Sequence, residues 1–95
     1  MWYVYVLYSM SGNKSYVGYT NDVERRMFEH NVSEVSGFTL RYRPWILIHS
    51  EPYADKGSAI VREKFLKTGR GREEIKLFIR NYFSSGAVSA AAEKD

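Results

Sequence analysis

The chain has no cysteine, which excludes disulfides and thiolate metal sites and fits a reducing compartment. It also lacks a Gly-rich phosphate loop and any Ser, His and Asp set at a recognisable spacing. Those absences set aside phosphate-cradling loops and triad-type acyl transfer. Its longest apolar run, Trp2 to Tyr8, is far below the ~20 residues a bilayer span needs, and no basic segment precedes an apolar one at the N-terminus. The expectation is a soluble cytoplasmic chain with no membrane contact.

What is present is a small, aromatic, basic domain. Ninety-five residues make one domain with a modest core, and 44% apolar with 16% aromatic residues supply that core. A net charge of +3 and a pI near 9.2 permit an anionic partner without demanding one.

Punctuation and periodicity set the order of elements. Trp2 to Tyr8 is continuous, aromatic and β-branched, so it is expected to be a central strand covered on both faces. Ser11-Gly12-Asn13 supplies a turn, and Ser15 to Tyr19 a second strand antiparallel to the first. Asn21 or Asp22 can cap a helix running to His30 or Asn31, with Glu24 completing a capping-box-like start. Residues 32–43 read as a loop, and Pro44 opens a third strand, Trp45 to Ser50. A second helix is expected from Ala54 to about Thr68, broken by Gly69-Arg70-Gly71. Ile75, Phe78, Ile79 and Tyr82 then mark an amphipathic helix over Arg72 to Phe83. The order ββαβαα predicts an α+β fold with a small three-stranded, mostly antiparallel sheet flanked by helices. Residues 1–83 form the domain and 84–95, rich in Ser, Ala and Gly, a flexible tail.

Helix faces show which polar residues turn inward. At ~100° per residue, Val23, Arg26, Met27 and His30 share one arc and Arg25 falls opposite. A guanidinium at a buried boundary needs a carboxylate or an anionic ligand, unless its stem packs while its head reaches water. His30 alone is more often a satisfied structural histidine. On the next helix Glu63 shares a stripe with Ala59, Ile60 and Leu66, while Val61 and Phe65 form a second ridge facing the last helix. A carboxylate there needs a cation: Arg26 or Lys67 in an ordinary ion pair, or a hard divalent metal.

The series Tyr5, Tyr16, Gly18, Arg26, His30 and Glu63, on Tyr3-Val4-Tyr5 and Tyr16-Val17-Gly18, resembles the GIY-YIG nuclease superfamily. Within it, residues 1–83 look most like small stand-alone bacterial members that share the Trp-Tyr-Val-Tyr start and a Tyr-Arg-Pro-Trp segment, here Tyr42 to Trp45. They are also similar to the N-terminal nuclease module of the bacterial excision-repair excinuclease. Tyr3 stands where the first motif has glycine and Val17 where the second has isoleucine, both at packing positions.

The resemblance implies metal-assisted phosphodiester hydrolysis with one divalent ion, Mg or alternatively Mn, on Glu63. Tyr16 is then the general base or its relay, and Arg26 the bidentate phosphate clamp. Tyr5 and His30 orient water or the scissile phosphate, His30 being a candidate proton donor, and Gly18 allows close approach. Asn81 lies off the apolar stripe and is assigned no role. Arg41, Arg43, Lys67, Arg70 and Arg72 are candidate phosphate contacts, although Glu73 and Glu74 dilute that patch. The expected activity is structure-selective cutting of branched, nicked or damaged DNA in repair or recombination, with a protein partner or additional domain supplying specificity. Two alternatives stay open: a nucleic-acid-binding module without turnover, and a protein-interaction domain.

Overall fold

Trp2–Ser9 (β1) is the middle strand of a three-stranded sheet, flanked by Lys14–Thr20 (β2) and Ile46–Tyr53 (β3), with both pairings antiparallel. This is a computed structural model, and it describes residues 1–33 and 38–84. Between β2 and β3 run a helix Val23–Phe28 (α1), a wider π-type turn Glu29–Ser33, and a short helix Phe38–Arg41 (α2). After β3 come Lys56–Leu66 (α3) and Gly69–Ser84 (α4). The fold is the expected α+β arrangement of a small antiparallel sheet and flanking helices.

The apolar run of β1 is covered on both faces because helices and loops lie on each side of the sheet. One face collects Val4, Val6 and Val17 with Ala59, Leu66 and Ile75 of α3 and α4. The other collects Tyr5, Leu7 and Trp45, with Tyr16, Met27 and Leu47 packed against them. Val4, Val6, Leu7 and Leu66 are fully buried, and each such side chain contributes about 1.5–3 kcal/mol of transfer free energy.

Several boundaries differ from expectation, each for a physical reason. β3 runs past Ser50 to Tyr53 through Pro52, because β3 is an edge strand and a proline there sacrifices no ladder hydrogen bond. Gly69-Arg70-Gly71 is not a break but the first turn of α4. A Cβ on Gly71 would strike the carbonyl oxygen of Phe65 and the Leu66 backbone, so glycine there permits the close approach of α3 to α4. α3 starts later than expected, at Lys56, with Asp55 as its cap accepting from Ser58 N at 2.7 Å. Asp22, not Asn21, caps α1. The span expected as a loop holds α2, while residues 34–37 and the tail beyond Ser84 lie outside the described residues. Val61 does not form a ridge against α4, since it is 70% exposed. Among the described residues no helix is long and apolar enough to cross a membrane.

Candidate active site

Tyr5 and Gly18 face each other across the β1–β2 ladder. A Cβ on Gly18 would come within 2.5 Å of the Tyr5 hydroxyl oxygen, so glycine lets the end of the Tyr5 side chain lie against β2 with its hydroxyl over Gly18. That hydroxyl meets His30 Nε2 at 2.9 Å, a bond between a residue 1% exposed on the strand and another 1% exposed on the helix.

His30 reaches the strand through the π-type turn that continues α1. Wide turns of this kind are rare and cluster at functional sites. Two ties secure it. Asn31 brackets the Trp45 backbone, donating from Nδ2 to its carbonyl at 3.1 Å and accepting from its N–H at 2.6 Å. Arg43 donates from Nε to the His30 carbonyl at 2.6 Å and from a terminal nitrogen to the Glu29 carbonyl at 3.4 Å.

Arg26 lies one turn before His30 and donates to His30 Nε2 at 3.2 Å. A guanidinium has only donors, so this contact makes Nε2 an acceptor and His30 a neutral imidazole. Arg26 also pairs with Glu29, and Arg25 points outward as expected, 53% exposed. Tyr16 completes the group: its ring centroid is 4.8 Å from that of His30, 6.3 Å from that of Tyr5 and 6.2 Å from that of Trp45. Tyr5, Tyr16, Arg26 and His30 therefore share one cluster.

Glu63 is held differently. It lies on α3, which packs against β1 and β2, with its side chain 12% exposed and bound to Lys67 at 2.6 Å. Among the described residues no ion pair or hydrogen bond of Glu63 reaches the His30 cluster, and no group of three or more His, Cys, Asp or Glu is placed to hold a metal. The link between them is Lys67, which lines a cavity of about 570 Å³ together with Tyr16 and Arg72. Arg41 and Arg70 are exposed, Arg41 lying 6.0 Å from the Tyr42 ring centroid. The sequence pointed to Trp45 only as part of the Tyr-Arg-Pro-Trp segment and gave Asn31 no role at the site, because their contact is backbone bracketing between elements far apart in the chain.

A second polar cluster occupies the opposite face of the sheet. Arg62 donates to both Glu51 oxygens, at 2.9 and 3.0 Å, and to Glu74 at 2.7 Å. Glu51 also meets His49 at 2.7 Å and Tyr53 at 2.8 Å, and His49 stacks flat on Phe78 with centroids 3.7 Å apart. Burial pushes the Glu51 carboxyl up, but the bonds from Arg62, His49 and Tyr53 and the charge of Arg62 outweigh it and hold the pKa at about 2. Bonding to Glu51 and Glu74 raises the Arg62 guanidinium, and burial followed by the Glu51 contact raises the Tyr53 phenol.

The molecule is a three-stranded α+β domain with a tyrosine, histidine and arginine cluster on one sheet face. The family model described as GIY-YIG catalytic domain matches residues 1–76, and the chain belongs to the GIY-YIG family. It is 33% identical over 75 residues to a UPF0213 protein of Staphylococcus haemolyticus, covering 79% of this chain and 90% of that one. It is 40% identical over 73 residues to a UPF0213 protein of Natronomonas pharaonis, covering 76% and 85%. A UPF0213 protein of Bacillus halodurans with a solution NMR structure is 28% identical, covering 79% of this chain and 82% of that one, at a TM-score of 0.47.

Proposed function

We propose that this chain is a divalent-metal-dependent DNA endonuclease that hydrolyses phosphodiester bonds, selecting branched, nicked or damaged DNA in repair or recombination. The observation that carries the proposal is the convergence of Tyr5, Tyr16 and Arg26 on the buried His30. Cleaving a phosphodiester requires a positioned water, neutralised phosphoryl oxygens and a proton for the leaving oxygen. Arg26 would clamp the phosphate through its guanidinium fork. His30 would pass a proton or orient water once a bound phosphate draws Arg26 from its Nε2, and Tyr16 would act as the base or its relay. Tyr5 holds His30 from the strand side.

Glu63 would hold one divalent ion, magnesium or in its place manganese, in exchange for its present partner Lys67. Mg binds through one or two carboxylates and takes its remaining ligands from water and phosphate, and Glu63 is a largely buried carboxylate already facing a cation. When bound, such an ion supplies charge neutralisation at the phosphate and a more acidic water. Arg41, Arg70, Arg72 and Lys67 would meet phosphates, which position DNA without reading its sequence. The Arg43 side chain is bonded to carbonyls of the π-type turn, so its contribution would be to hold His30 in place.

The test is incubation with branched, nicked and single-stranded DNA, with magnesium or manganese and with chelator. Metal-dependent cuts that vanish in Glu63→Gln and Tyr16→Phe are expected. Cleavage that persists in either variant overturns the site assignment. DNA binding with no metal-dependent cleavage favours a binding module, and no binding even at low salt, where electrostatic affinity is greatest, favours a protein-interaction domain.

A further inference from the structure

The cavity beside Tyr16 has a one-sided charge. Its rim carries Lys14, Lys67, Arg72 and Lys76, no Asp or Glu lines it, and the half-buried Tyr16 and Ile79 give it an apolar floor. The cavity against Tyr53 differs, holding Asp55 and Glu74 as well as Arg62. One wall of the basic groove is the start of β2, an edge strand, so the groove runs along the side of the sheet past Tyr16. Lys67 is paired with Glu63 at 2.6 Å and Lys76 with Glu73 at 3.5 Å, but both lysines are more than half exposed. The Lys76–Glu73 pair, exposed on both sides, is weak and yields to a phosphate, and the Lys67 ammonium, which has three donors, can meet a phosphate while it stays bound to Glu63.

We infer that this groove receives a single-stranded stretch of DNA and delivers it to Tyr16. Phosphates meet Lys14, Lys67, Arg72 and Lys76, and sugars or bases lie on the floor. The identity of the polyanion as DNA rests on the nuclease function proposed above, whereas the charge pattern stands without it. In a duplex the base faces are stacked inside and only base edges are open in the grooves, so an apolar floor beneath a cationic rim gains little from it. A single strand offers both surfaces at once, the combination on which non-sequence-specific strand binding rests. Lys14 and Lys76 thereby join the residues that meet nucleic acid, and the substrate has an unpaired stretch beside the scissile bond.

The experiment is fluorescence anisotropy on the full chain in chelator, using a single strand of about eight nucleotides, a blunt duplex of the same length and an oligoglutamate peptide. The single strand should bind at least about fivefold more tightly than the duplex. In Lys14→Glu/Lys76→Glu, with circular dichroism unchanged, binding should weaken at least about tenfold and the salt slope should fall by about 1.4, or ~0.7 for each phosphate no longer neutralised. Lys56→Glu, outside the groove, should change binding by less than about twofold. Equal or tighter binding of duplex or peptide overturns the inference, as does an equal weakening in Lys56→Glu. Wild-type metal-dependent cleavage with binding unchanged in the double variant removes the groove and leaves the nuclease. Single-strand binding abolished in the double variant, with no wild-type cleavage, removes the nuclease and leaves the groove.

Discussion

Arg26 and Arg62 have the same side-chain exposure, 24%, yet they belong to clusters of opposite character on the two faces of one sheet. Arg62 spends its fork on carboxylates, two oxygens of Glu51 and one of Glu74, and Tyr53 and His49 close the set. Arg26 is shared between the carboxylate of Glu29 and a neutral imidazole, which in turn meets a phenol. The first cluster joins β3, α3 and α4 by saturating charge. The second joins a strand to a helix through groups that can exchange protons and accept a phosphate. Partial burial of an arginine therefore does not mark function; the chemistry of its partners does.

Removing each arginine in turn puts this contrast under the greatest strain. Arg26→Ala should lower metal-dependent cleavage about 10²–10³-fold, roughly 3–4 kcal/mol of barrier, as expected for losing one preorganised donor to a phosphoryl oxygen. The thermal midpoint should move only a few degrees, because the Arg26–Glu29 pair is partly solvated and worth about 0.5 kcal/mol. Arg62→Met should do the reverse. It leaves Glu51 without its main cation and should remove about 3 kcal/mol of stability, while cleavage per folded molecule stays unchanged. Denaturant melts and initial rates on the same preparations check both. An Arg62→Met protein that is stable but inactive would dissolve the distinction between the two faces.

Acid separates the two faces by another route. The Glu51 carboxyl titrates at about 2 in the folded chain against 4.5 for the free group. Its folded pKa is depressed, so its stabilisation is present above pH 4.5 and is lost as pH falls from 4.5 towards 2. The amount is about 2–3 kcal/mol. Equilibrium unfolding across that window should show the loss, and Glu51→Gln should flatten it. A slope that survives in Glu51→Gln would place the acid-sensitive group elsewhere.

How much of this was legible in the sequence depends on whether a residue's role is local or assembled. The sheet, its central strand and the turning of Arg26 and His30 to one side followed from period and apolar pattern, because those signals lie within a few residues of each other. The Glu51–Arg62–Glu74 cluster was not legible. The third strand was expected to end at Ser50, whereas the edge strand continues through Pro52 and carries Glu51 on the face of Val4. The helix wheel singled out Glu63 correctly as a partly buried acid, and its partner Lys67 is one turn away on the same helix. The bracketing of Trp45 by Asn31 spans fourteen positions and left no periodic trace.

A gentler substitution probes the site face without touching a charge. Gly18→Ala places a methyl within 2.5 Å of the Tyr5 hydroxyl oxygen and 2.7 Å of the ring carbon that carries it, so the ring must tilt away from β2. The site lies at the far end of the Tyr5 side chain, so the strain should stay near about 1–2 kcal/mol. The tilt breaks the 2.9 Å contact with His30, whose Nε2 also serves Arg26. The pattern to look for is a modest fall in melting midpoint with a disproportionate fall in cleavage rate, and a displaced His30 ring resonance in NMR spectra. An alanine that is tolerated in both rate and spectrum would mean that Tyr5 need not lie against β2 for the cluster to form. His30 would then owe its position to Asn31, Arg43 and Arg26 rather than to Tyr5.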